Sequence, residues 1–181
     1  MAKLTLYHAA PSRSAVTRWM LEEVGEPYDI HFLSLSKGDN RAPDYLADAF
    51  PKAGLNVPVG DPRRGIYLKW LFFGPSCIEP AITDRAYPRK EEPRRGALGY
   101  GDFETTMNVA AKGVSAGRYL MGDQFTAADV VIGSALRWGT MFKLIPERAE
   151  FAAYVGRLGE REALKRADAK DKALMPAPAP A

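Results

Sequence analysis

The spacing of apolar residues changes period twice near the start of this chain. Lys3 to His8 alternates, with Leu4 and Leu6 on one face and Lys3, Thr5 and Tyr7 on the other, which predicts a short strand. From Ala15 to Val24 the period lengthens. Val16, Met20, Leu21 and Val24 recur at helical intervals, and Gly25 stands where a left-handed cap closes a helix. Tyr28 to Leu33 alternates again through Ile30 and Phe32. Strand, helix and strand within about thirty residues make a βαβ unit with parallel strands and a right-handed crossover.

Beyond residue 36 the pattern breaks into a loop over 37–43, a short helix over Asp44–Phe50 and a Pro/Gly-rich linker over 51–60. Two strands and one helix cannot cover both faces of a sheet, so this first segment lacks part of a core. From Asp61 onward the chain reads as helical. Asp61 is a good N-cap with Pro62 at the first helical position. An apolar stripe of Ile66, Trp70 and Phe73 runs to Gly74-Pro75, where the missing N–H predicts a kink. Further helices are expected over 94–115, 126–138, 148–158 and 160–172. The Pro/Ala-rich end, 175–181, reads as a disordered tail. The expected organisation is therefore 1–52, 61–174 and the tail, an α/β segment followed by an all-helical one.

The chain has 181 residues, enough for one domain or two small ones. Its charge of +3 is too weak and too scattered to imply a nucleic-acid partner, because binding a polyanion needs clustered cations. Apolar runs such as Leu71-Phe72-Phe73 are far too short for a membrane span. A single cysteine, Cys77, excludes an internal disulfide, a dithiol redox motif and a Cys-rich zinc site, and no metal is expected. Cys77 reads as a small buried hydrophobe. With Met1-Ala2-Lys3 leading straight into the strand pattern, no signal peptide is recognised and a cytoplasmic location is expected.

The sharpest local motif is Gly122-Asp-Gln-Phe-Thr-Ala-Ala-Asp129. Thr126 can cap a helix and Asp129 can reach back to its N–H, with Phe125 as half of a hydrophobic staple against Val130. Its role is structural. In wording, Gly-Asp-x-Phe-Thr-Ala-Ala-Asp-Val closely resembles the buried capping motif of glutathione transferases. Further matches to that family follow. Leu4 to Ser14 and Trp19 to Tyr28 resemble the start of its thioredoxin-like domain, and Lys37-Gly38 with Pro43 to Leu46 the segment after its second strand. Trp70 to Pro80 resembles the first helix of its helical domain; Tyr119-Leu120 and Phe151 to Leu158 match further on.

The resemblance implies an N-terminal thioredoxin-like βαβ domain, incomplete here, plus a C-terminal all-helical domain. It also implies a bacterial, serine-type enzyme that conjugates glutathione, as co-substrate, to hydrophobic electrophiles in detoxification, and works as a homodimer. One departure is large. After Leu46 the family carries an Asn-Pro-x-Gly-x-Val-Pro stretch with a cis-proline, a hairpin, and a Glu-Ser or Asp-Ser pair. Here Leu46 runs directly into Ala47 to Pro51, which resembles the far end of the family's third helix, so about thirty residues are missing. An open sheet edge and half a core favour a gap in the recorded sequence over a stable natural deletion. The departure also supports an alternative reading, a non-catalytic binding or scaffold protein that kept the fold.

The chemistry centres on the Ser12-Arg13-Ser14 turn. A free thiol titrates near 8.5, and lowering that by two units takes about 2.7 kcal/mol of preferential thiolate binding. A hydroxyl donating to a charged sulfur supplies roughly 1.5–3 kcal/mol, and a helix N-terminus about 0.3–1 more. A serine at the helix entrance therefore suffices. The resemblance points to Ser12 in preference to Ser14, with capping as the competing role for either. Tyr7 reads as packing. The resemblance further suggests that His8 and Lys37 contact glutathione, Lys37 through the glycyl carboxylate. Of the aromatic group Trp70, Phe73, Tyr100 and Trp138, mostly core by type, some should face the electrophile.

Overall fold

The computed structural model describes residues 4–8, 14–32, 50–91 and 93–174. Ser12, Lys37, the expected 44–50 helix (apart from its last residue) and the tail lie outside them. The described chain divides into two compact units, Met1–Leu55 with Gly159–Ala181, and Asn56–Leu158.

In the first unit, strand β1 (Leu4–His8) pairs in parallel with β2 (Tyr28–Phe32), Leu4 opposite Tyr28 and His8 opposite Phe32. Among the described residues the sheet has these two strands. Helix α1 (Ser14–Val24) joins them and ends where expected, Gly25 adopting φ +75° and donating its N–H to Leu21 O at 3.0 Å. Leu6, Trp19, Met20 and Leu21 are buried.

Arg18 and Glu22, one and two turns after Ser14 on the same face of α1, are buried as well. The last described helix, α7 (Glu162–Leu174), packs along α1 and covers them. The pairings run Arg18 with Asp171, Glu22 with Lys170 and Arg166, and Glu23 with Arg161 just before α7, an antiparallel order. The sequence division put this segment with the helical part, 61–174; its packing partner is α1.

The second unit holds α2 (Arg64–Phe73), α3 (Glu79–Ala86), α4 (Phe103–Ser115), α5 (Ala127–Met141) and α6 (Ala149–Gly159). Three expectations shift. Asp61 does not cap α2: its carboxylate accepts from the Arg63 N–H at 2.8 Å and its carbonyl from the Arg64 N–H at 2.9 Å, so a turn precedes the helix. At Pro75 the helix runs on through a π turn, Gly74–Ile78, in which Glu79 N–H reaches Gly74 O; the wider turn absorbs the missing donor. The helix expected from residue 94 starts at Phe103, because Asp102 caps it by accepting from the Thr105 N–H at 2.7 Å and Gly101 breaks the chain at φ +79°.

Helix α5 is the core of this unit, with Val130, Ile132 and Leu136 fully enclosed. Its entry confirms the capping motif. Asp129 Oδ2 accepts from the Thr126 N–H at 2.9 Å and from the Thr126 hydroxyl at 3.1 Å. Asp129 Oδ1 accepts from the Leu120 N–H at 2.8 Å and the Tyr154 hydroxyl at 2.7 Å, so one buried carboxylate ties α5 to α6 and to the preceding loop. No helix among the described residues is long and apolar enough to cross a membrane.

Candidate functional site

β1 ends at His8 and α1 begins at Ser14, so these residues flank the carboxyl end of a parallel strand and the positive end of a helix. The two side chains lie against each other. Ser14 Oγ lies 2.9 Å from His8 Nδ1. On the other side of the ring, His8 Nε2 is 3.3 Å from Asp171 Oδ1, a charge contact off the line of an aligned hydrogen bond. The same Asp171 oxygen accepts from Arg18 Nη1. His8 and Arg18 have no exposed surface, Ser14 is half-buried, and Asp171 retains some solvent access.

The electrostatics keep His8 neutral. Burial pushes its pKa below the usual 6.5, the Arg18 cation pushes it further, and Asp171 opposes both. Arg18 Nε and Nη2 find no hydrogen-bond partner among the described residues, so Asp171 carries its neutralisation. At the other end of α1 a cavity of about 380 Å³ is lined by Leu21, Glu22, Gly25, Pro27, Tyr28 and Lys170. Burial alone would raise the Glu22 carboxyl, but hydrogen bonds from Lys170, Tyr28 and Arg166 carry it below its ordinary value. The Glu22 carboxylate of this cavity is thus already engaged by its own neighbours, with Glu26 and Arg166 also on the lining.

Of the predicted site residues the structure brings together His8 and Ser14. The aromatic group meets different neighbours. Trp70 is buried in the seam between α2 and α4, edge-on to Phe73 with centroids 5.6 Å apart, and its ring fills the space where a Cβ on Gly113 would stand. Tyr100 donates to Asp84 at 2.6 Å, and burial followed by that bond pushes its hydroxyl up to about 12. Trp138 stacks obliquely on Phe142 at 5.5 Å. Cys77 sits in the π turn, and burial raises its thiol, the opposite of an activated cysteine.

Arg18 and Asp171 escaped the sequence reading. The available signal was spacing: Arg18 follows Ser14 by four residues, on the same helix face.

The model described as "Glutathione S-transferase, N-terminal domain" matches residues 2–59. Among curated proteins, glutathione S-transferase GstA of Escherichia coli O157:H7 is 27% identical over 118 residues, 65% of this chain and 58% of that protein. The chain thus matches less than two thirds of that relative's length. Among solved structures, a ternary complex of BphK, a bacterial GST, superposes with TM-score 0.75 at 20% identity over 93% of this chain and 100% of that one. A glutathione transferase from Methylococcus capsulatus gives 0.73 at 22% identity, covering 94% and 99%. A sphingomonad glutathione S-transferase complexed with glutathione gives 0.74 at 17%, covering 93% and 99%. These likenesses give the first unit its thioredoxin-like character and the helical remainder its place in the same fold. Residues 2–59 thus match the N-terminal domain of glutathione S-transferases, and the chain has the glutathione transferase fold.

Proposed function

We propose that this chain is a glutathione transferase that holds the glutathione thiolate at the entrance of α1 and delivers it to a hydrophobic electrophile. The observation that carries the reading is the Ser14 hydroxyl, half-buried in the first turn of α1 and fixed by a 2.9 Å contact to His8. A hydroxyl held there can donate to a sulfur anion in a field that favours negative charge. Ser12, the residue that the resemblance favours, lies outside the described residues and stays a candidate for the same role beside Ser14. Lys37 stays a candidate partner of the glycyl carboxylate. Phe73, Tyr100 and Trp138 stay candidates for the electrophile's surroundings, and Trp70 is assigned to packing. A cytoplasmic homodimer is the working form we infer, supported by the family.

Thermal unfolding with and without millimolar glutathione tests binding, because a ligand at 100 times its Kd adds about 2.7 kcal/mol. Turnover of a chloronitrobenzene then tests catalysis. Ser14→Ala should lower kcat by about 10²–10³-fold, the usual cost of one donor to a developing anion, with a smaller effect on KM. Equal activity in Ser14→Ala and loss in Ser12→Ala would move the role by two positions. The missing stretch after Leu46 favours a second reading, a fold-retaining scaffold. Neither stabilisation by glutathione nor turnover would select it.

A further inference from the structure

We propose that His8 is the proton acceptor of this site, taking the glutathione thiol proton through the Ser14 hydroxyl while Asp171 holds the imidazolium that results. The relay operates only on the glutathione reading given above. Its parts are two contacts on the His8 ring: Ser14 Oγ at 2.9 Å from Nδ1, and the Asp171 Oδ1 charge at 3.3 Å from Nε2.

The order of protons follows from the charges. A carboxylate beside Nε2 favours the tautomer carrying its proton there, which leaves Nδ1 with the lone pair. Ser14 therefore donates its hydroxyl proton to His8, and its oxygen faces an incoming thiol as an acceptor. In the step itself the S–H bond breaks and its proton passes to Ser14 Oγ. The original Ser14 proton passes to His8 Nδ1. The products are a thiolate, a serine hydroxyl that now donates to the sulfur, and an imidazolium with a proton on each nitrogen. One proton leaves sulfur and one arrives at His8.

The surroundings suit both ends of the transfer. Among the described residues, the charged groups acting on His8 are Arg18 from α1 and Asp171 from α7; Phe32, paired with it on β2, carries no charge. Before substrate arrives, burial and Arg18 keep the ring neutral, the state an acceptor needs. After transfer, the thiolate and Asp171 place two anions around the imidazolium and offset Arg18. His8 has no exposed surface of its own, and the half-buried Ser14 hydroxyl is the group at its Nδ1.

Proton counting tests the relay. Glutathione is titrated into the whole protein near pH 7 by calorimetry in two buffers of different ionisation heat, with thiolate formation followed by ultraviolet absorbance. The relay predicts a thiolate signal with almost no proton released to buffer. His8→Gln should still bind glutathione, release about one proton per thiolate, and show a kcat/KM profile displaced toward the thiol's own value of about 8.5. A purely structural His8 would leave proton count and profile unchanged in any folded variant. Should His8→Gln fail to fold, the wild-type proton count decides by itself. Binding with no thiolate, or with one proton released by the wild type, overturns the relay and leaves the transferase reading standing. No binding of glutathione overturns that reading and the relay with it.

Discussion

Arg18 and Asp171 form an ion pair between two helices whose residues lie 153 positions apart in sequence. The guanidinium is fully buried, and two of its nitrogens have no hydrogen-bond partner among the described residues. The pair therefore binds α7 to α1 chiefly by preventing an uncompensated buried charge.

That asymmetry gives a mutational prediction. Asp171→Ala strands the Arg18 cation and should cost about 3–5 kcal/mol, the usual penalty for breaking a buried pair from one side. Adding Arg18→Met removes the stranded charge and should recover most of the loss. Urea unfolding followed by circular dichroism reads both. Equal stability of the single and double variants would show that the pair contributes packing alone.

The site also sets how stability responds to acid. Burial, then Arg18, depress the His8 pKa, with Asp171 opposing, so the unfolded imidazole charges first as pH falls. This contribution is complete above the unfolded value of 6.5 and is lost as pH drops through the lower folded value. For Glu22, burial acts upward, but hydrogen bonds from Lys170, Tyr28 and Arg166 prevail. Its contribution is complete above 4.5 and is lost below that, through the depressed folded value. Urea midpoints from pH 8 to pH 3 should therefore show two separate declines. His8→Gln should flatten the upper one and Glu22→Gln the lower.

These two groups also mark where sequence reading succeeds and stops. β1, α1, β2 and the Gly25 cap are legible because each is encoded in spacing a few residues long. His8 and Ser14 are legible for the same reason, as a strand end and a helix start close together in sequence. Arg18 and Glu22 look like solvated positions of an amphipathic helix, and α7 looks like a charged surface helix. Their burial arises only when a segment some 140 residues away returns to cover them. The start of α4 slipped for a local reason. Residues 94–102 carry no apolar pattern against helix, and Asp102 and Gly101 set the boundary by capping and backbone handedness.

Asp129 concentrates four donors on one enclosed carboxylate: the Thr126 N–H and hydroxyl, the Leu120 N–H and the Tyr154 hydroxyl. Burial raises its pKa while the donors pull it down. Asp129→Ala leaves them all without this acceptor. At about 1–3 kcal/mol per unsatisfied buried group, the loss should exceed 3 kcal/mol and largely prevent accumulation of folded protein. Asp129→Asn retains one acceptor oxygen and should fall between. The check is the yield of soluble protein and its urea midpoint.

Gly113 on α4 meets the Trp70 ring so closely that an added Cβ would lie 2.2 Å from Cη2 and 2.5 Å from Cζ2. In an open helix, Gly→Ala gains about 1 kcal/mol from backbone entropy. Here the indole is buried, so making room for the added methyl means repacking its neighbours. Overpacking of this kind costs about 1–3 kcal/mol, so Gly113→Ala should destabilise despite the better helix former. Trp70→Phe shortens the ring at the contact. Combined with Gly113→Ala, it should cost less than the sum of the two single changes, a coupling that a double-mutant cycle in urea measures directly. Additive losses would mean that the two residues do not share the seam and that Trp70 is available to face a ligand after all.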